Sequence, residues 1–230
     1  EYLIWIQVFE SRGVNQIRGF TFNGLMAYVF LCMIVGQLKS SWATSIDMID
    51  SIRTGELNKY LIRPISFFTY HFMMFIGHNS LFYFVYATLL ILFPIIFPGW
   101  AFNTALHVFG FLISLFISIY LSYTIYFCMV CFAFWFGEVR ALVIAYNVSN
   151  IILSGQVIPL RMFPEGILNI ISITPLPYLI DLPVSIATNN LDISLWLPKI
   201  AIAILWCLIM SVVGKIIYYF GIRQYEGFGA

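Results

Sequence analysis

Six charged residues, Asp47, Asp50, Arg53, Glu56, Lys59 and Arg63, fall within positions 45–66 of a chain that carries charge on only 9% of its residues. Mixed signs at this density suit recognition of a specific soluble partner better than attraction to anionic lipid, which favours a mostly basic face. His71 and His78 stand seven apart, on one helix face, and are the residue type that could serve a haem or quinone site. The remaining histidine, His107, lies near the far end of another apolar segment. Cys128-x-x-Cys131 has neither a second pair nor a neighbouring histidine. With Cys32 and Cys207 these cysteines sit inside apolar runs and read as small buried apolar residues. Gly214-Lys215 is not part of a G-x-x-x-x-G-K-[ST] loop, Ser154-Gly155 lacks a base in any diagnostic context, and neither H-E-x-x-H nor G-x-S-x-G occurs. No Asp or Glu is expected in mid-span, which disfavours an ion-coupled carrier. The reading is of a non-enzyme, with no catalytic residue, metal site or cofactor of its own.

The elements that carry these residues are greasy. Apolar residues make up 62% of the chain and aromatics 19%, too little polar surface for a water-soluble domain. A net charge of +1 argues against nucleic acid as a partner. A span needs about 20 apolar residues, and residues 21–38, 67–97, 105–136 and 195–220 qualify. Residues 139–158 form a further apolar segment interrupted by Asn147, Asn150 and Gln156. Residues 1–9 read as the last turns of an earlier span, with the expectation that the sequence begins inside a longer chain. The whole of 1–230 is then one all-α polytopic transmembrane domain.

Alternation of the spans puts Lys39, Arg53, Lys59, Arg63, Arg140, Lys215 and Arg223 on one side. Arg12, Arg18, Arg161 and Lys199 fall on the other. The positive-inside rule makes the first side cytoplasmic, and with it the insert and the C-terminus.

Within the insert, Ile46, Ile49 and Ile52, then Leu57, Tyr60 and Leu61, recur at helical steps and predict one apolar face. Gly55 stands where a left-handed C-cap belongs. A second short helix is expected over 56–62, ended by Arg63-Pro64. Asp47 is expected near the positive end of the first helix. Such a hairpin either lies on the membrane or docks a soluble partner, and spacing leaves both open. Residues 159–194 hold Pro159, Pro164, Pro175, Pro177 and Pro183 between apolar pieces too short to cross. Short re-entrant helices on the outer side are expected there, covered by protein or water.

Residues 55–66, GELNKYLIRPIS, resemble the G-x-L-x-x-Y-L-x-R-P-[IV]-S signature of a bacterial branch of ATP-binding-cassette type-2 permeases. Other stretches agree in order: GFTFNGLMAY over 19–28, Gly155 through Leu160 followed by Phe163-Pro164, Pro175-Leu176-Pro177-Tyr178 with Pro183, and the tail YEGFGA over 225–230. The resemblance covers nearly the whole chain and is most specific around Arg63-Pro64.

It implies a six-span permease subunit of the bacterial cytoplasmic membrane, truncated here in its first span. It pairs with a second permease copy or a sister, among membrane lipids, and two cytoplasmic ATPase subunits carry ATP and Mg. The insert would be the coupling helix, with Ile49, Ile52, Arg53, Glu56, Leu57 and Arg63 as contact surface, shaped by Gly55 and Pro64. Gly155, Pro159, Pro164, Pro175 and Pro177 would belong to an outer gate. Export of an amphipathic drug, lipid or peptide is the expected activity. A membrane-embedded haem or redox protein using His71 and His78 is the alternative.

Overall fold

A computed structural model describes Trp5, Gln7 and residues 16–225. Apart from Trp5 and Gln7, the segment 1–9 lies outside the described residues, as do the last five positions of the tail. A short antiparallel pair, β1 (Gln16–Ile17) and β2 (Phe20–Thr21), leads into α1 (Phe22–Leu38). Thr21 caps α1 by accepting a hydrogen bond from the Gly24 amide at 3.2 Å. After a break at 39–41 the chain continues as α2 (Trp42–Arg53) and the single turn α3 (Asn58–Leu61). Ser66, just past Pro64, caps α4 (Phe67–His78) by accepting from the Thr69 amide.

Residues 67–97, expected as one span, are two helices. Asn79 separates α4 from α5 (Ser80–Ile96), which meet at 51°. The Asn79 side chain donates to the Phe75 carbonyl at 2.9 Å, a local side-chain bond of the kind that competes with continuation of a helix. Then follow α6 (Ala105–Val130), the turn α7 (Ala133–Phe136) and α8 (Arg140–Leu153). The helix expected over 139–158 stops at Leu153, because Gly155 adopts φ +86° and turns the chain back. Its 14 residues cover roughly 21 Å, less than the hydrocarbon thickness. Beyond it lie a 3-10 turn at Leu160–Met162, α9 (Glu165–Ser172), a second 3-10 turn at Leu176–Tyr178, and α10 (Asp181–Ala187). The last helix, α11 (Ile193–Arg223), is longer than the expected 195–220.

Among the described residues, three helical runs are long and apolar enough to cross a membrane, four if the bent α4–α5 pair is one span. Their outward faces are apolar: Phe116, Phe84 and Leu197 are all at least 70% exposed. Water would not tolerate this band of side chains and lipid would. The molecule is an all-α, multi-pass membrane protein.

Side-chain contacts give the helix directions. Phe30 stacks on Phe93 while Gln37 and Tyr86 line one cavity, so α1 and α5 are antiparallel. Gly110 packs against Trp196, Gly214 against Phe127 and Gly221 against Phe134. Both numbers in these pairs rise together, so α6 and α11 run parallel. Parallel spans require an odd number of crossings between them. Between them lie the shorter apolar helix α8 and the proline-broken segment that follows it.

Glycines let α6 and α11 approach. A Cβ at Gly110 would stand 2.8 Å from Trp196 Cζ3. Gly110→Leu should therefore lower the unfolding midpoint in detergent, an overpacking cost of about 1–3 kcal/mol. Gly166→Ala, where an added Cβ meets nothing within 4 Å, should leave the midpoint unchanged or slightly raised. Equal midpoints for Gly110→Leu and the unmodified protein would refute this packing.

Candidate functional site

The insert is built by its ends. Thr54 closes α2 with its amide on the Asp50 carbonyl, Gly55 takes φ +82°, and the Leu57 amide returns to the Ser51 carbonyl at 2.9 Å. A β-branched or bulky residue at Gly55 would be strained in this left-handed region. Leu57 is thereby folded under the turn, fully buried, beside Ile49 and Ile52. These three residues, expected to contact a partner, belong instead to this chain's own core. The helical periodicity is right, but its apolar face anchors the insert to the bundle. Asp47 also departs from expectation. The helix begins at Trp42, so Asp47 sits in its second turn, away from the positive end, and the second helix is only the turn Asn58–Leu61.

What remains outward is the tip. Arg53, Glu56, Lys59, Arg63 and Pro64 are exposed. With them stand three large apolar residues, Leu61 at 48%, Ile62 at 87% and Ile65 at 49% exposure. Lys59 pairs with Glu56, which raises the lysine pKa.

The insert is tied to the α7–α8 turn by an ionic network. Arg53 meets Glu138 Oε2 at 2.6 Å, Arg140 meets Asp50 Oδ1 at 2.5 Å, and Arg140 reaches Glu138 at 3.5 Å. Glu138 Oε1 also accepts the Arg140 amide at 3.0 Å. Asp50, Glu138 and Arg140 were not legible as site residues in the sequence. The available signal was that two of the few charges flank Val139 at a turn between apolar segments. Each side chain is 40–45% exposed, so any one pair contributes about 1 kcal/mol or less. The network's value is geometric, since it joins α2 to the first turn of α8.

At the other end of α8, Gly155 is buried. Its carbonyl faces the Tyr28 hydroxyl at 3.1 Å and Cys32 Sγ at 3.6 Å. The same hydroxyl lies 2.9 Å from Asp181 Oδ1. A phenol has one proton to give and two acceptors here. Both are satisfied when Asp181 is protonated, donating to the phenol oxygen while the phenol donates to Gly155. Burial raises the Asp181 pKa in the same sense, against opposing pulls from the Tyr28 hydrogen bond and from Lys199 and Arg161.

Among the other expected gate residues, Pro159 is buried, Pro164 precedes α9 exposed, and Pro175, just before the second 3-10 turn, and Pro177, within it, are half-buried. The structure brings Gly155 against α10 and leaves Pro164 apart. His71 is buried, with Nδ1 3.0 Å from the Phe67 carbonyl, whereas His78 is exposed. His107 bonds Thr104 and Asn189. The three histidines do not converge.

Two outcomes follow. Exchanging the charges of one pair, Arg53→Glu with Glu138→Arg, should restore the stability and activity lost in either single variant, read as a double-mutant cycle with a coupling of about 0.5–1 kcal/mol. Additive losses would refute the pairing. At acid pH, Asp181→Asn, neutral and still able to donate to Tyr28, should match the unmodified protein in thermal stability, while Asp181→Ala loses about 1–3 kcal/mol. A folded-state pKa raised above the unfolded value makes this carboxyl's contribution complete below the unfolded pKa, and it falls away as pH rises through the folded one. Asp181→Asn has no such proton to lose. It should therefore become the more stable of the two as pH rises from acid to neutral, and a stability difference that does not change with pH would refute the protonated carboxyl.

A family model described as ABC-2 family transporter protein matches residues 1–229. The chain belongs to this family and is a transmembrane component of a transporter. No curated protein and no solved structure matches it.

Proposed function

We propose that this member of the ABC-2 transporter family is the permease subunit of an ATP-driven exporter, and that the tip of the insert, residues 56–65, docks on a separate cytoplasmic ATPase. The observation that carries this reading is the exposed cluster of Leu61, Ile62 and Ile65 among Glu56, Lys59 and Arg63. Large apolar side chains rimmed by charges of both signs mark a protein-binding surface. A hairpin lying flat on lipid would have its apolar face free for the membrane, but Ile49, Ile52 and Leu57 are consumed by the core. ATP and Mg belong to the partner in this reading, and the chain has no enzymatic role. A second copy or sister permease completes the pathway in the bacterial cytoplasmic membrane, with the C-terminus on the ATPase side.

In mechanism, closure of the ATPases on ATP moves the insert. The Arg53–Glu138 and Asp50–Arg140 contacts pass the motion to α8. The far end of α8 is Gly155, whose carbonyl holds Tyr28 and lies beside α10 of the outer segment. The helix acts as a strut between motor and outer cap, pivoting on the buried node of Tyr28, Gly155 and Asp181.

Full-length permease carrying an affinity tag should retain an ABC ATPase in mild detergent. Ile62→Asp should abolish that retention, and Arg63→Glu or Gly55→Val should uncouple ATP hydrolysis from transport while the permease stays monodisperse. Retention of no ATPase by the unmodified permease, or unchanged coupled hydrolysis in all three variants, overturns the proposal.

A further inference from the structure

The cation at the end of α1 is placed against its ordinary habit. Lys39 follows Leu38 and is 3% exposed. A lysine near the end of a span usually extends its ammonium to the interface, but this one is buried, and among the described residues no carboxylate pairs with it. Withdrawing an ammonium from water without a counter-charge is costly.

Lys39 lines an open cleft of about 340 Å³ between α1, α5, α6 and α8. Four amide side chains make its wall polar: Gln37, Asn147, Asn150 and Gln156. Their arrangement is specific. The Tyr126 hydroxyl donates to Asn147 Oδ1 at 2.7 Å, which fixes the orientation of that amide. Asn150 is 2% exposed and its Oδ1 has no partner, although buried amide oxygens are nearly always satisfied; this acceptor calls for a donor, such as the hydroxyl of a phosphate monoester monoanion. Gln156 lies against the backbone of Gly36, where a Cβ would come within 2.7 Å of Nε2. Gly36 thus makes room for the amide at the cavity. A polar cleft holding one buried lysine without a carboxylate partner, set among apolar helices, is the local composition of a ligand site, and an apolar core would hold these helices together at less cost.

We propose that this cavity binds the anionic headgroup, phosphate or carboxylate, of an amphiphile, with Lys39 as counter-charge and the surrounding amides as hydrogen-bond partners. The inference rests on the transporter reading and gives the chemical class of its ligand. The volume is at the small end for a ligand pocket, which is about 300–1,000 Å³. It fits a headgroup and the first carbons of a tail, while the tail follows the apolar side of the cleft past Met33 and Ile151. The site also adjoins α8, the strut between the insert and the outer segment, so its occupancy and the position of that helix are linked.

The test is equilibrium binding of radiolabelled dodecyl phosphate to purified full-length permease in a non-ionic detergent. Saturable binding is expected, displaced by dodecanoate and not by dodecyltrimethylammonium. Lys39→Met should weaken it by about tenfold or more, one such factor corresponding to about 1.4 kcal/mol, and Lys39→Arg should retain it. Asn150→Asp supplies a second, independent variant. It puts a carboxylate into the same cavity as Lys39 and should abolish binding with the fold intact, whatever the behaviour of Lys39→Met. Displacement of the probe by phosphatidylglycerol assigns the site to a membrane lipid. Its persistence against phosphatidylglycerol assigns it to a transported solute, and either result supports an anion site. Equal affinity in the unmodified protein and Asn150→Asp, or equal competition by the cationic amphiphile, overturns the proposal. Neither ATP nor ATPase enters this measurement. A negative result therefore removes the anion site alone, and the transporter reading stands or falls by ATPase retention.

Discussion

Backbone groups buried in a protein must find their partners there, and the buried reversal at Gly155 shows how this chain meets that constraint. α8 ends after 14 residues, and the turn that follows cannot rely on helical hydrogen bonds. α1 supplies the missing partners: the Tyr28 hydroxyl and the Cys32 thiol both face the Gly155 carbonyl. Tyr28 also reaches Asp181, at the start of α10. That short helix is in turn almost wholly buried against α6 and α1, with Val184, Ile186 and Ala187 at zero exposure. The Ser118 hydroxyl on α6 donates to the Leu179 carbonyl just before it. The broken segment is tolerated because neighbouring helices supply its polar contacts.

The opposite end of α8 is held by charge instead of by buried hydrogen bonds. Asp50 and Arg53 on the insert meet Arg140 and Glu138 on the turn. Exposed ion pairs are weak and rearrange at little cost. The buried node around Gly155 is stiff by comparison. The Lys39 cleft lies along the flank of this helix.

Apolar side chains in this chain do two jobs that look alike in sequence. Phe116 and Leu197 face outward because lipid is as good a solvent for them as a protein core. Ile49, Ile52 and Leu57 face inward, covered by the apolar core of the bundle. Hydrophobic periodicity finds the face in both cases and is silent about what covers it. This is why the apolar half of the expected contact surface is inverted, with Ile49, Ile52 and Leu57 buried and Ile62 and Ile65 outside, while Arg53, Glu56 and Arg63 are exposed.

The sequence by itself determined the class of molecule, the positions of the long apolar helices, and the punctuation of the insert. Composition rules out a water-facing surface, Gly55 requires a left-handed residue, and Pro64 ends the turn before it; each of these is a local property that needs no neighbour. The tertiary structure alone decided which side of the insert faces out, where α8 stops, and which charges meet. Asp50 and Arg140 are 90 positions apart, and Tyr28 and Asp181 are 153 apart. Nothing in the spacing of such pairs announces contact, because it depends on helix directions and packing set by the whole bundle. Lys39 shows the same division. In sequence it is one more positive charge at the end of a span, and only the fold buries it among four helices without a counter-charge.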